Sequence, residues 1–171
     1  MHMTNAAYFS PCHRYRYTLH RTWRNMDSDN SPNVAGCLMI IGLNPSTADH
    51  VEDDPTIRRC VRFARDWGFN ALVMTNLFAF RATKPMDLMN AADPVGAEND
   101  AVLQFCAAQA SLVLAAWGND GKFQARDKAV LSLLPQDLPV YCLKKTDGGN
   151  PWHPLYVPAA TKPFLYRAGT E

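Results

Sequence analysis

The stretch Leu38-Met39-Ile40-Ile41-Gly42-Leu43-Asn44-Pro45-Ser46-Thr47 decides how the chain reads. Four apolar residues in succession make a strand covered on both faces, and Gly42 with the Asn44-Pro45 pair ends it in a tight polar turn. The same junction recurs. Leu72-Val73-Met74 runs into Thr75-Asn76, with Arg81 a few residues on. Residues 112–116 run into Trp117-Gly118-Asn119-Asp120, and residues 139–143 into Lys144-Lys145-Thr146 and then His153-Pro154. Open parallel sheets bind ligands beyond the carboxyl ends of their strands. Four parallel strands here would bring all four polar ends to one edge.

The segments between these strands read as helices. Asp54-Pro55 supplies a cap and a first-turn proline. Ile57, Cys60, Val61, Ala64 and Trp67 then recur at helical spacing, and Gly68 ends the run. Arg58, Arg59, Arg62 and Arg65 fill the rest of that helix, either as a solvated face or as phosphate contacts. A strand at 70–76, a short helix at 85–90, a break at Asp93-Pro94-Val95-Gly96 and a helix at 97–110 follow, the last with Val102, Leu103, Cys106 and Ala107 inward. A strand at 111–117, a helix at 123–134 and a strand at 138–143 complete the alternation. This order predicts a three-layer α/β/α domain with a short central, mostly parallel sheet. Residues 14–23, rich in Arg and Tyr, read as an edge strand antiparallel to the rest. They either protect that edge or touch nucleic acid. Asp27 to Asn33 is turn chemistry throughout.

Composition agrees with one domain over 1–171. With 47% hydrophobic and 19% charged residues the chain has the makings of a core and not of a disordered tail. It lacks an apolar run of membrane-spanning length and a signal-peptide core at Met1-His2-Met3-Thr4, so a cytoplasmic protein is expected. The five cysteines show no CxxC spacing, so a zinc or iron–sulfur site is not expected; the chemistry read below calls for no metal or other cofactor. A net charge of +1 leaves a nucleic-acid partner open, since a local basic patch is sufficient.

Each polar group at the strand ends has two readings. Asn44 either satisfies its own turn or presents an amide that positions a water or a hydroxyl. Ser46 and Thr47 either cap the next turn or bind phosphate oxygens. Asn76 closes a central strand, where a buried amide needs a partner and the edge of a nucleobase is one. Phe78 and Phe80 are either core or a platform for a flat base. His153 lies beyond the last strand, where an imidazole can stabilise charge on a leaving group. Asp54 reads as a helix cap. Asp49 and Asp53 read as solvated loop charges; in a different enzyme class, Asp49, His50, Asp53 and Asp54 together would read as metal ligands.

Taken in order, these turns resemble the uracil-DNA glycosylase superfamily. Gly42-Leu43-Asn44-Pro45 is similar to its first motif in the branch with Asn at the catalytic position. LVMTNLFAFRA at 72–82 resembles the strand ending in the base-recognising Asn, LVLAAWG at 112–118 the next core strand, and His153-Pro154-Leu155-Tyr156 the second catalytic motif, with Leu155 where active glycosylases carry serine. Over nearly its whole length the chain also resembles a bacterial and phage family of unknown function, numbered 1643. That likeness is carried by Arg14-Tyr15-Arg16-Tyr17, GLNPSTAD at 42–49, DDPTIRRC at 53–60, NLFAFRAT at 76–83, DPVG at 93–96, AWG at 116–118 and HPLY at 153–156.

The glycosylase resemblance implies a pocket built from Asn44, Asn76, Trp117 and His153, with Pro45 in the turn. Asn44 would position the attacking water, Asn76 would read the base edge, and His153 would stabilise the departing base. Phe78 or Phe80 would stack on an extruded base. Ser46, Thr47, Arg81 and Lys122 are the expected phosphate contacts. The expected partner is nucleic acid, with DNA ahead of RNA, or a nucleotide or nucleobase ligand. The alternative is a binding module that uses the same pocket without breaking a bond.

Overall fold

Every apolar run singled out above forms a strand, and together they build one mixed sheet of seven strands. A computed structural model describes residues 3–23, 36–46 and 53–169. The turn at Asp27 to Asn33, and Thr47, Asp49 and His50, lie outside the described residues. The strands are β1 (Met3–Phe9), β2 (Arg16–Trp23), β3 (Cys37–Gly42), β4 (Ala71–Asn76), β5 (Leu112–Ala115), β6 (Val140–Cys142) and β7 (Phe164–Arg167), in the order β1-β2-β4-β3-β5-β6-β7. β4, β3, β5 and β6 run parallel as expected. The flanks do not. β1 pairs antiparallel with β2, β2 with β4, and β7 with β6, so the sheet is mixed and not mostly parallel. The 14–23 segment is accordingly no edge strand, because β1 covers it on the outside.

Alternation along the strands divides the core into two. Leu38 and Ile40 of β3, Leu72 and Met74 of β4, and Leu114 of β5 face helix α1 (Pro55–Asp66), with Ile57, Cys60, Phe63 and Ala64 packed on them. Met39, Ile41, Val73, Val113 and Ala115 face the other way. There they meet Leu88 of α2 (Pro85–Met89), Leu103, Cys106 and Ala107 of α3 (Asn99–Gln109), and Val130 of α4 (Arg126–Leu133). Helices on both faces explain the unbroken apolar runs, since neither side of these strands meets water. The last helix starts later than its sequence suggests. Residues Asn119–Ala125 form a 3-10 turn, and Gln124 and Ala125 take left-handed backbone with φ of 52° before α4 begins. Among the described residues no helix is long and apolar enough to cross a membrane.

Asp54 caps α1 as expected, its Oδ1 accepting the Ile57 N–H at 2.8 Å. Asp53 is not a solvated loop charge. It pairs at 2.6 Å with Arg21, whose side chain is 0% exposed on β2. This pair ties the entry of α1 to the sheet, and losing its acidic half takes a carboxylate away from a fully buried guanidinium. Asp53→Ala should lower unfolding free energy by about 3 kcal/mol in urea titration. Arg62→Ala, which breaks the exposed Arg62–Asp66 pair, should leave the urea midpoint unchanged. Equal effects from the two substitutions would contradict this account.

Candidate functional site

β3 leads through α1 to β4 on one side, and the chain then crosses β3 to place β5 on the other. The strand order therefore reverses around β3, and a crevice opens beyond its carboxyl end, as open α/β sheets predict. The cleft has a volume of about 420 Å³, within the range of about 300–1,000 Å³ that suits a small ligand. Gly42, Asn44 and Ser46 line it from β3, Asn76 from β4, Trp117 from β5, and His153 and Tyr156 from the far side.

The walls are held in register by backbone pairing that outlasts the strands. Gly42 lies opposite Asn76, and the Leu77 and Phe78 N–H groups donate to the Gly42 and Leu43 carbonyls at 2.9 Å each. Ala82 N–H donates to Pro45 O at 3.0 Å, which fixes the far end of the same turn. Asn99 of α3 donates to the Asn76 and Leu77 carbonyls, and Arg126 adds a bond to the second. Alternation puts Asn76 on the face of Leu72 and Met74, the α1 side. There its side chain is only 4% exposed, and its Nδ2 is buried with no hydrogen-bond partner. An unpaired buried donor costs about 1–3 kcal/mol, and this one lies at the cleft wall. Room for that amide depends on Gly42, where a Cβ would lie 2.8 Å from Asn76 Oδ1.

Asn44 is held from behind. Its Nδ2 donates to Ala82 O at 2.8 Å and to Pro45 O at 3.1 Å, so its carbonyl oxygen is the side-chain group left for the cleft. Trp117 is buried on the α3 side, edge-on to Tyr166, and its Nε1 also has no partner. Ser46 donates to Asp54 Oδ2 at 2.6 Å, so one carboxylate caps α1 and holds the serine at the cleft wall.

His153 reaches the site through a hairpin. Lys145 bridges Pro151, the Gly118 N–H donates to Pro151 O at 2.8 Å, and Asn119 Oδ1 accepts from Thr146 and the buried Asn150. The imidazole then caps the short turn Pro154–Tyr156, its Nδ1 accepting the Leu155 N–H at 3.3 Å. An accepting Nδ1 leaves the proton on Nε2. Burial pushes the His153 pKa below 6.5, with Asp54 opposing, so the neutral form with an Nε2 donor prevails at pH 7.

Other expected site residues lie elsewhere. Phe78 is buried in the core on the α3 side against Phe123, and Phe80 packs edge-on against Tyr15. Neither lines the cleft. Arg81 lies over Phe9 and bonds the His13 carbonyl, and Lys122 is exposed and reaches Gly148 O at 3.4 Å. Pro45 is buried in the turn but does not line the cleft. Arg16 was not anticipated. It is buried and lines the cleft because β2 is antiparallel to β4, so β2 begins where the parallel strands end. The antiparallel direction assigned to 14–23 was the signal, once placed beside β4. Of the acidic groups, Asp53 and Asp54 are engaged by Arg21 and by the α1 cap.

His20 is also held below 6.5 by burial. Both imidazoles resist protonation in the folded chain and accept it freely when unfolded. Stability should therefore fall as pH drops from 7 through 6.5 and below. The urea midpoint of the His20→Gln/His153→Gln variant should fall less over pH 7.5 to 5.5 than that of the wild type. Parallel declines would refute the assignment.

Comparison with curated proteins and with solved structures gave no match. A family model does match, over residues 16–155, and this interval contains every strand end that lines the cleft. By that match, the chain belongs to the family described as "Protein of unknown function (DUF1643)".

Proposed function

We propose that the cleft takes a nucleobase from nucleic acid, in a uracil-DNA glycosylase-like arrangement, and hydrolyses its N-glycosidic bond. The observation that carries this reading is the buried, unpartnered Asn76 amide at the cleft wall. A primary amide offers one donor and one acceptor, the pairing pattern that a base edge returns.

In this reading the Asn44 carbonyl oxygen accepts a hydrogen bond from a water and orients it toward the sugar C1′. The water oxygen bonds to C1′ as the C1′–N bond breaks, and the bonding electron pair leaves with the base. The neutral His153 donates from Nε2 to an oxygen of the departing base while negative charge develops there. The proton lost by the water ends on the released base. Trp117, not Phe78 or Phe80, is the aromatic wall of the cleft.

A second reading is favoured by the Asn44 geometry. An amide whose nitrogen bonds two carbonyls of its own loops is also what a purely structural turn displays. The cleft would then hold a modified base or a nucleotide without cleaving it.

Base release from oligonucleotides carrying uracil, hypoxanthine, xanthine or hydroxymethyluracil separates the two. Hydrolysis predicts release by the wild type, with a loss of about 100-fold or more in Asn44→Ala and His153→Ala. Binding with no release, unchanged in Asn44→Ala, would establish the binding module instead. Gly42→Ala should weaken oligonucleotide binding at least about tenfold by displacing the Asn76 amide, with the fold retained. Unaltered binding would remove Asn76 from the contact.

A further inference from the structure

Strand β1 closes one end of the sheet, and its outer edge lacks the features that usually keep such edges apart. Only β2 pairs with it, through a ladder that stays regular from Met3 to Tyr8 and shifts before Phe9. Among the described residues no strand lies on its other side. Alternate residues of a strand paired on one edge direct their N–H and C=O groups outward, a template for another strand. Charge, proline or shortness blunts an edge of this kind. β1 reads Met3-Thr4-Asn5-Ala6-Ala7-Tyr8-Phe9, seven residues with no charge and no proline.

The opposite edge shows the contrast. β7 has four residues, follows Lys162-Pro163 and shifts register against β6. The Lys145 ammonium stands over its Phe164 and Tyr166 rings at 6.0 and 5.2 Å. One end of the sheet is short and guarded by a cation, and the other is long and uncharged. Core packing does not account for β1 either. Thr4, Asn5, Ala6 and Tyr8 are exposed, and of the strand's described side chains only Ala7 packs on the core. Tyr8 bonds Glu98 and Phe9 lies under Arg81, so the strand is pinned at its carboxyl end alone.

We propose that β1 is a self-association edge: two copies of this chain pair β1 with β1, antiparallel about a two-fold axis, and join their sheets into one. An uncharged strand meets its own copy with no like charges opposed, and a net charge of +1 adds little long-range repulsion. Antiparallel pairing of a strand with itself puts one residue on the axis, opposite its own copy. Overlap of all seven residues selects Ala6, and Thr4 then faces Tyr8 while Asn5 faces Ala7. The competing arrangement sets β1 on the β7 edge of the next molecule. It would repeat head to tail into an open filament, and four residues cover little more than half of β1. β1 runs in the same direction as β4, so the two clefts open at opposite ends of the joined sheet. The pairing is independent of what the cleft binds.

Sedimentation of the full chain tests this, with charge placed on the axis at Ala6, an exposed position that accepts a longer side chain. Wild type should sediment as a dimer at about 100 μM and dissociate on dilution. Ala6→Lys alone and Ala6→Glu alone should each weaken association at least about tenfold, because two like charges then face each other across the axis. An equimolar mixture of the two variants should regain dimerisation, since opposite charges meet, and mixing would not reverse a loss caused by misfolding. Wild-type β1 amides should also exchange more slowly at high protein concentration than at low. A monomer at every concentration, a dimer indifferent to both substitutions, or a mixture no more associated than its components would overturn the proposal.

Discussion

Strand β3 hydrogen-bonds in parallel on both sides, to β4 and to β5, and the rest of the structure depends on that double pairing. It places Gly42 opposite Asn76 and sends the Ala116 N–H to the Ile41 carbonyl, so three strand ends stop at the same height. The turns beyond them have only one direction in which to open. Pairing then continues through Leu77 and Phe78 onto the β3 turn, which makes the cleft wall part of the sheet and not a free loop. A polar site built this way inherits the rigidity of the core beneath it.

The surrounding polar groups serve that arrangement. Asn99 and Arg126 hold the backbone behind Asn76, Asp54 joins the α1 cap to Ser46, and the Asn119–Asn150 bond anchors the hairpin that delivers His153. Among the described residues, Asn76 Nδ2 and Trp117 Nε1 are buried donors at the cleft that make no hydrogen bond.

Much of this was legible in the sequence, for identifiable reasons. Unbroken apolar runs such as Leu38 to Ile41 mark strands covered on both faces, and Asp54-Pro55 is a local signal that tertiary contacts have no reason to override. The site residues at strand ends followed from the same pattern. What was not legible was set by distance. β1 lacks a clear alternation and β7 has four residues, so neither announces itself. Without β1 the 14–23 strand looks like an edge, and without its place beside β4 the role of Arg16 is hidden. Phe78 and Phe80 lie close to Asn76 in sequence, but the chain turns after β4 and buries Phe78 on the other side of the sheet. Gln124 and Ala125 carry left-handed backbone without glycine, so nothing in composition marks the start of α4.

The central claim is that Asn76 meets a base edge in this cleft. The most direct measurement follows the Asn76 side-chain amide protons by heteronuclear NMR while uracil, hypoxanthine or xanthine is titrated in. The account predicts a saturable downfield shift of those protons, with the Trp117 indole proton responding to the same titrant. No response at Asn76 to any of the three, with ligand-induced shifts confined to residues outside the cleft, would contradict it.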